Sequence, residues 1–282
     1  MEKILINIDS RFRNIEKYPD PGNFVYTLST PLKNISSLRL ASIELPTTFY
    51  TFLSRYNNID FTIIDSNGYD HTIIIEEGSY NSTSMMTYIQ GILTQINVGF
   101  ETTFTISWDS INYKVTITND TPFTLLFGND SKHISLGYRL GYHGTDTDYL
   151  LDNQGPYYDI TTNTFRYGWT GDTFLDITKD EYLFLRINDY GVIYNDIREK
   201  SILAKIILYD QQFVIDNGAN FLTKAYQFKQ PVNLSKFDIE LVNSLGETVD
   251  MNLINFSMTL EFEQIYDSNA YDKHNFIPYK KN

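Results

Sequence analysis

The chain has 282 residues, 42% of them hydrophobic and 15% aromatic, and carries 22 Lys and Arg against 35 Asp and Glu, for a formal net charge of −13. That balance excludes a molecule coated with phosphate-neutralising cations. The absence of cysteine excludes disulfide frameworks, thiolate nucleophiles and Cys-ligated zinc.

The 22 Tyr and 19 Phe favour pleated, half-buried surfaces, while alanine, the best helix former, is scarce. A β-dominated fold is expected. At the N-terminus, MEKILINIDSRF has an apolar run too short for a secretory signal, broken by Asn7 and Asp9. No stretch approaches the ~20 apolar residues that a membrane-spanning helix needs.

From residue 23 the pattern predicts a short strand with Phe24, Tyr26 and Leu28 on one face, a turn at Pro31, and a longer strand ending at Pro46. Apolar parity changes along it, from Leu38 and Leu40 to Ile43 and Leu45. Side chains in a strand alternate faces, so the change predicts a bulge near Ala41 and Ser42, or a passage between sheets. Phe49, Tyr50 and Phe52 follow at once, and they read equally as contact surface or as core. Residues 59–64 and 72–75 form an expected strand pair around the turn Ser66-Asn67-Gly68.

One helix stands out. Asn81 or Ser82 caps it, and Met85, Ile89, Ile92, Leu93 and Ile96 make a stripe at helical spacing. A hairpin follows, with Phe104, Ile106 and Trp108 answered by Tyr113, Val115 and Ile117, and then a short strand over residues 123–126. From residue 128 to 181 periodicity is lost, and the stretch reads as a loop-rich insertion with one helical turn near residues 134–140. It is dense in aromatics, Tyr157, Tyr158 and Trp169 among them. Strands resume over residues 182–187, 202–209, 224–228, 237–241 and 253–262. The last turns Phe256, Met258, Leu260 and Phe262 one way and Ser257, Thr259, Glu261 and Glu263 the other.

The expected fold is all-β: a single jelly-roll β-sandwich of residues 1–127 and 182–265, with one short helix, the insertion at 128–181, and a C-terminal tail at 266–282. Nothing in the residues compels catalysis. His71, His133, His143 and His274 are scattered singly, without metal-ligand spacing. Asp146, Asp148 and Asp152 lack the glycine and closing glutamate of a calcium loop. Glu76 and Glu77 are carboxylates such as any acidic chain offers. No nucleophile elbow, phosphate loop or dinucleotide fingerprint is present. No cofactor and no metal are expected.

Several segments together carry a resemblance. IDSRFRN and PGNFVYTLSTPLKNISSLRLASIELPTTFYTF near the N-terminus, EEGSYNSTSMMTYI, SLGYRLGY, LFLRINDYG, and the C-terminal KFDIELVNSLGETVDMNLINFSMTLEF resemble blocks of penton and related minor capsid proteins of large icosahedral eukaryotic DNA viruses. The similarity spans most of the chain outside residues 141–179.

It implies a structural role in the virion: a single jelly-roll subunit, assembled in the host cytoplasm, that forms a homopentamer at each five-fold vertex. Its partners would be copies of itself, the major capsid protein and other minor capsid proteins. No direct contact with nucleic acid, no transmembrane segment and no enzymatic activity belong to that reading. The residues expected at contacts are Phe49, Tyr50, Phe52, Tyr157, Tyr158 and Trp169, while Arg11 and Arg13 either anchor an N-terminal arm to acidic neighbours or are simply solvated. Two other roles fit the same elements: a different minor capsid or cement protein, and a carbohydrate-binding vertex or fibre-anchoring sandwich whose loop aromatics stack on sugars.

Overall fold

The computed structural model describes residues 1–127, 135–144, 149–150, 152, 154–159, 163–178, 180–194, 201–208, 213–216 and 224–266. In chain order the strands are β1 (Glu2–Asp9), β2 (Asn23–Pro46), β3 (Asp60–Ile64), β4 (Asp70–Ile74), β5 (Thr105–Trp108), β6 (Val115–Asn119), β7 (Thr124–Leu126), β8 (Pro156–Asp159) and β9 (Thr164–Thr170). There follow β10 (Tyr182–Ile187), β11 (Ile193–Tyr194), β12 (Ser201–Ile202), β13 (Ala204–Ile207), β14 (Phe213–Asp216), β15 (Tyr226–Val242) and β16 (Ser257–Gln264). The α-helices among the described residues are α1 (Ser82–Phe100) and the short α2 (Leu136–Arg139). The fold is all-β, as the composition implied.

The chain divides into two compact units, one drawn from residues 1–49 and from 180 onward, the other from residues 50–179. The first is built on a seven-stranded antiparallel sheet in the order β1-β16-β2-β15-β10-β13, with β14 also paired to β2. Its backbone is β2, a single strand of 24 residues.

The turn expected at Pro31 is instead an irregularity inside β2. Between the pairs Leu234↔Leu32 and Lys236↔Thr27, β15 advances by two residues while β2 advances by five. Between Gln227↔Ser37 and Val232↔Ile35 the excess lies on β15, around Pro231. A proline has no N–H to give to a ladder, so each sits where the pairing is interrupted rather than where the strand ends.

The bulge expected near Ala41 is present. Thr259 pairs with Ser42 and Leu260 with Leu40, which leaves Ala41 without an opposite residue. That extra residue lets Leu38, Leu40, Ile43 and Leu45 all reach 0% exposure despite their change of parity. The bulges bend the sheet over one core, in which these residues meet Phe24, Phe237, Ile239, Phe256, Met258, Leu260 and Phe262.

The second unit holds a three-stranded sheet, β4-β3-β7, and a four-stranded sheet, β5-β6-β9-β8. Helix α1 packs against β5 and β4. A capping box starts the helix: the Asn81 side chain accepts from the Ser84 N–H at 2.8 Å, and the Ser84 hydroxyl accepts from the Asn81 N–H at 2.9 Å. Met85, Ile89 and Leu93 are its buried stripe. They join Phe52, Phe61, Phe104, Ile117, Phe123 and Leu125 in a core of their own.

The expected division at residues 127 and 182 does not coincide with the observed one. Residues 50–127 bury their apolar side chains against Leu136, Leu140, Tyr142, Tyr149 and Leu175, which come from the stretch read as an insertion. That stretch also supplies β8 and β9, which extend the hairpin of β5 and β6. From residue 267 the expected C-terminal tail lies outside the described residues.

Candidate interaction surface

At the end of β1, Asp9 caps the single turn formed by Ser10–Phe12, accepting from the Arg11 N–H at 2.9 Å. The Arg11 guanidinium returns to the same carboxylate, with Nε 3.0 and 2.9 Å from its two oxygens. The bond to Arg11 holds the Asp9 carboxyl below its usual range, against the opposing effect of burial. Arg11 is exposed, and its charge is already engaged within the chain.

Arg13 is different from the arm anchor expected of it: it is buried. Its guanidinium donates to the carbonyls of Ser10 at 2.8 Å, Tyr18 at 2.8 Å and Pro19 at 2.7 Å, and to Asn255 Oδ1 at 2.6 Å. It therefore pins the loop of residues 10–22 to the segment entering β16, because buried guanidinium donors must find acceptors.

The aromatic residues separate by burial. Phe49 and Phe52, expected at contacts, are core: Phe49 belongs to the first unit's interior and Phe52 to the second's, where it meets Tyr80 edge-on at 5.7 Å. A side chain at 0% exposure, as Phe52 is, offers a partner nothing to touch. Tyr50 remains 40% exposed and Tyr158 45%. Tyr157 stands opposite Arg166 in the β8–β9 pairing; its side chain lies outside the described residues. Trp169 is half-buried, donating its indole N–H to the Phe123 carbonyl at 3.0 Å with Tyr149 edge-on at 5.5 Å.

Other exposed apolar residues were not among the expected contacts. Phe165 is 74% exposed and meets Tyr158 edge-on at 5.1 Å across the hairpin. Phe12 and Leu253 are 79% and 72% exposed, on the two segments that Arg13 ties together. Asn252 and Leu253 both have positive φ, 50° and 60°. For leucine that is an uncommon conformation, and no sequence pattern signals it.

Among the described residues no cluster of His, Asp or Glu can hold a metal ion. Asp146, Asp148, His133 and His274 lie outside those residues. His71 and Asp65 form a buried pair at 3.0 Å. Burial pushes the Asp65 carboxyl up, but bonds from the Tyr69 N–H, His71 and the Asn67 N–H outweigh it and hold the net shift downward. The pair closes the β3–β4 turn, buried, with Phe100 edge-on to the imidazole at 4.5 Å. His143 stacks on Tyr138 at 3.8 Å. Glu77 is occupied with the Ser54 N–H at 2.9 Å.

On the first unit's sheet, Glu261 accepts from Lys3 Nζ at 2.9 Å and from Arg39 at 3.0 and 2.8 Å, linking the adjacent strands β1, β16 and β2. The bonds from Arg39, and secondarily from Lys3, lower its pKa to about 2.

No protein-family model matches the chain, and no curated protein does. Among solved structures it is similar to the penton protein of mavirus, crystallised in selenomethionine-labelled form. The TM-score is 0.44 and the identity 13%, over 94% of this chain and 100% of that one.

Proposed function

We propose that the chain is a structural capsid protein, a penton subunit whose homopentamer closes the five-fold vertices of an icosahedral virion. One observation carries this reading. Four of the six sequence blocks that resemble penton and minor capsid proteins are widely separated along the chain, yet in the fold they lie together; the other two, EEGSYNSTSMMTYI and SLGYRLGY, belong to the second unit. IDSRFRN covers the end of β1, the long N-terminal block is β2, LFLRINDYG is β10 and the C-terminal couplet spans β15 and β16. These strands are successive neighbours in one sheet. Blocks retained for a shared framework are expected to meet in this way; unrelated coincidences are not.

A ring of identical subunits needs two different flanks per copy, because a cyclic contact of more than two members is heterologous. The first unit's sheet ends in β1 on one side and β13 on the other, which gives it two distinct edges. Exposed Arg11, Tyr50 and Tyr158 remain proposed contacts, joined by Phe12 and Leu253. In this reading the partners are further copies of the chain, the major capsid protein and other minor capsid proteins, and no catalytic step is involved. The test is co-sedimentation with purified particles: the chain should band with the capsid in a fixed ratio to the major capsid protein. A chain that stays in the soluble fraction while particles form without it would refute the role.

A further inference from the structure

Beside the β8–β9 hairpin, the second unit carries an open trough of about 640 Å³ lined by Asn97, Thr102, Thr103, Thr105, Asp120, Thr164, Phe165 and Arg166. That volume lies within the ~300–1,000 Å³ typical of small-ligand sites. Its polar groups are held rigidly. Arg166, its side chain only 6% exposed, donates Nε to Asp120 Oδ1 at 2.9 Å and Nη1 to the Thr105 hydroxyl at 3.0 Å, and a third bond runs to the Thr103 carbonyl. The Thr105 hydroxyl in turn meets that of Thr118 at 2.7 Å. Asn97 accepts from the Thr102 hydroxyl at 2.9 Å and from the Phe104 N–H at 2.8 Å.

This frame presents two groups outward. The Asp120 side chain is 59% exposed and lines the trough, with Oδ1 fixed by Arg166. Phe165, 74% exposed, is an apolar ring on the same rim, braced edge-on by Tyr158.

We propose that the trough binds a neutral saccharide, with the apolar face of a sugar ring on Phe165 and its hydroxyls donating to Asp120. A sugar is the ligand class that combines an apolar ring face with a rim of hydroxyls, and the trough offers the complement of both. Pre-organisation by a buried guanidinium lowers the cost of ordering the site on binding. The charge of the ligand follows from the site: Asp120 and Arg166 neutralise one another, and a chain of net charge −13 disfavours sialylated or sulfated glycans. The site shares only Tyr158, which braces Phe165, with the contacts proposed above, and glycan binding and assembly state are read by separate measurements.

The experiment is a glycan array probed with the labelled full chain, followed by titration of the best neutral glycan into wild type, Phe165→Ala and Asp120→Asn. Asparagine keeps a hydrogen bond to Arg166 while removing the carboxylate. Binding to neutral glycans is expected, weakened about tenfold or more in each variant, a loss on the scale of one charged hydrogen bond or one stacked ring, with thermal unfolding unchanged in Phe165→Ala, whose ring is exposed, so that its loss reports the site and not the fold. An array silent for neutral glycans, binding confined to acidic ones, or undiminished binding by both variants overturns the assignment. Light scattering on the same samples reports the assembly state separately.

Discussion

Arg13 and Glu261 show how single side chains set this surface. Arg13 holds an exposed loop by spending its guanidinium inside the chain, so Arg13→Met should cost about 2–4 kcal/mol, the scale for leaving several buried acceptors unpaired. Arg13→Lys should recover little of it, because an ammonium cannot span four acceptors arranged for a planar fork. Urea unfolding of the three proteins checks both. Glu261 contributes in the opposite sense with pH. Its folded pKa lies near 2, below the ordinary 4.5, so the unfolded chain binds more protons across that interval. The stabilisation is fully present above about 4.5 and is lost as pH falls toward 2. Lys3 is 62% exposed and Arg39 39%, so screening reduces the contribution to about 1–2 kcal/mol. Glu261→Gln should lower stability at neutral pH and flatten its acid dependence in that window, as read from urea midpoints. At this scale the sequence was least informative. Phe49, Phe52 and Arg13 are residue types found both in cores and at contacts, and only burial separates the two.

At the scale of elements, the parity change in β2 was legible because a two-residue period leaves no other way to bury Leu38, Leu40, Ile43 and Leu45 together. Deleting Ala41 removes the residue that reconciles them. The deletion should abolish the cooperative thermal transition, whereas Ala41→Gly, which keeps the count, should cost less than about 1 kcal/mol. Circular dichroism melts distinguish the two. The alternation of β16 and the stripe of α1 were readable for the same reason, a strict period over a long run. Other elements hid. In β1 the alternating Ile4, Ile6 and Ile8 sit at the chain start, where the run is short. In β15 Pro231 splits one strand into what reads as two. Strands β8 and β9 are rich in polar and aromatic residues, and β9 keeps Arg166 buried through hydrogen bonds that no hydropathy pattern encodes.

For the whole molecule, the two cores are the informative feature. The boundary near residue 49 leaves no trace in composition: no Gly- or Pro-rich linker marks it, and aromatic strands continue on both sides. What separates the units is which side chains bury one another, a long-range property invisible to local pattern. Among the described residues, the second core draws on residues within 50–179 only. A fragment of those residues should therefore unfold cooperatively by itself, and a broad, non-cooperative melt would count against an autonomous core. The proposed assembly is the larger claim, since it would give the two unlike sheet edges and the apolar residues exposed beside the Arg13-pinned loop a common role. Multi-angle light scattering of the purified full chain across a wide concentration range tests that most directly. A species of five times the single-chain mass is the expected result, and a monomer persisting to the highest concentration would contradict it.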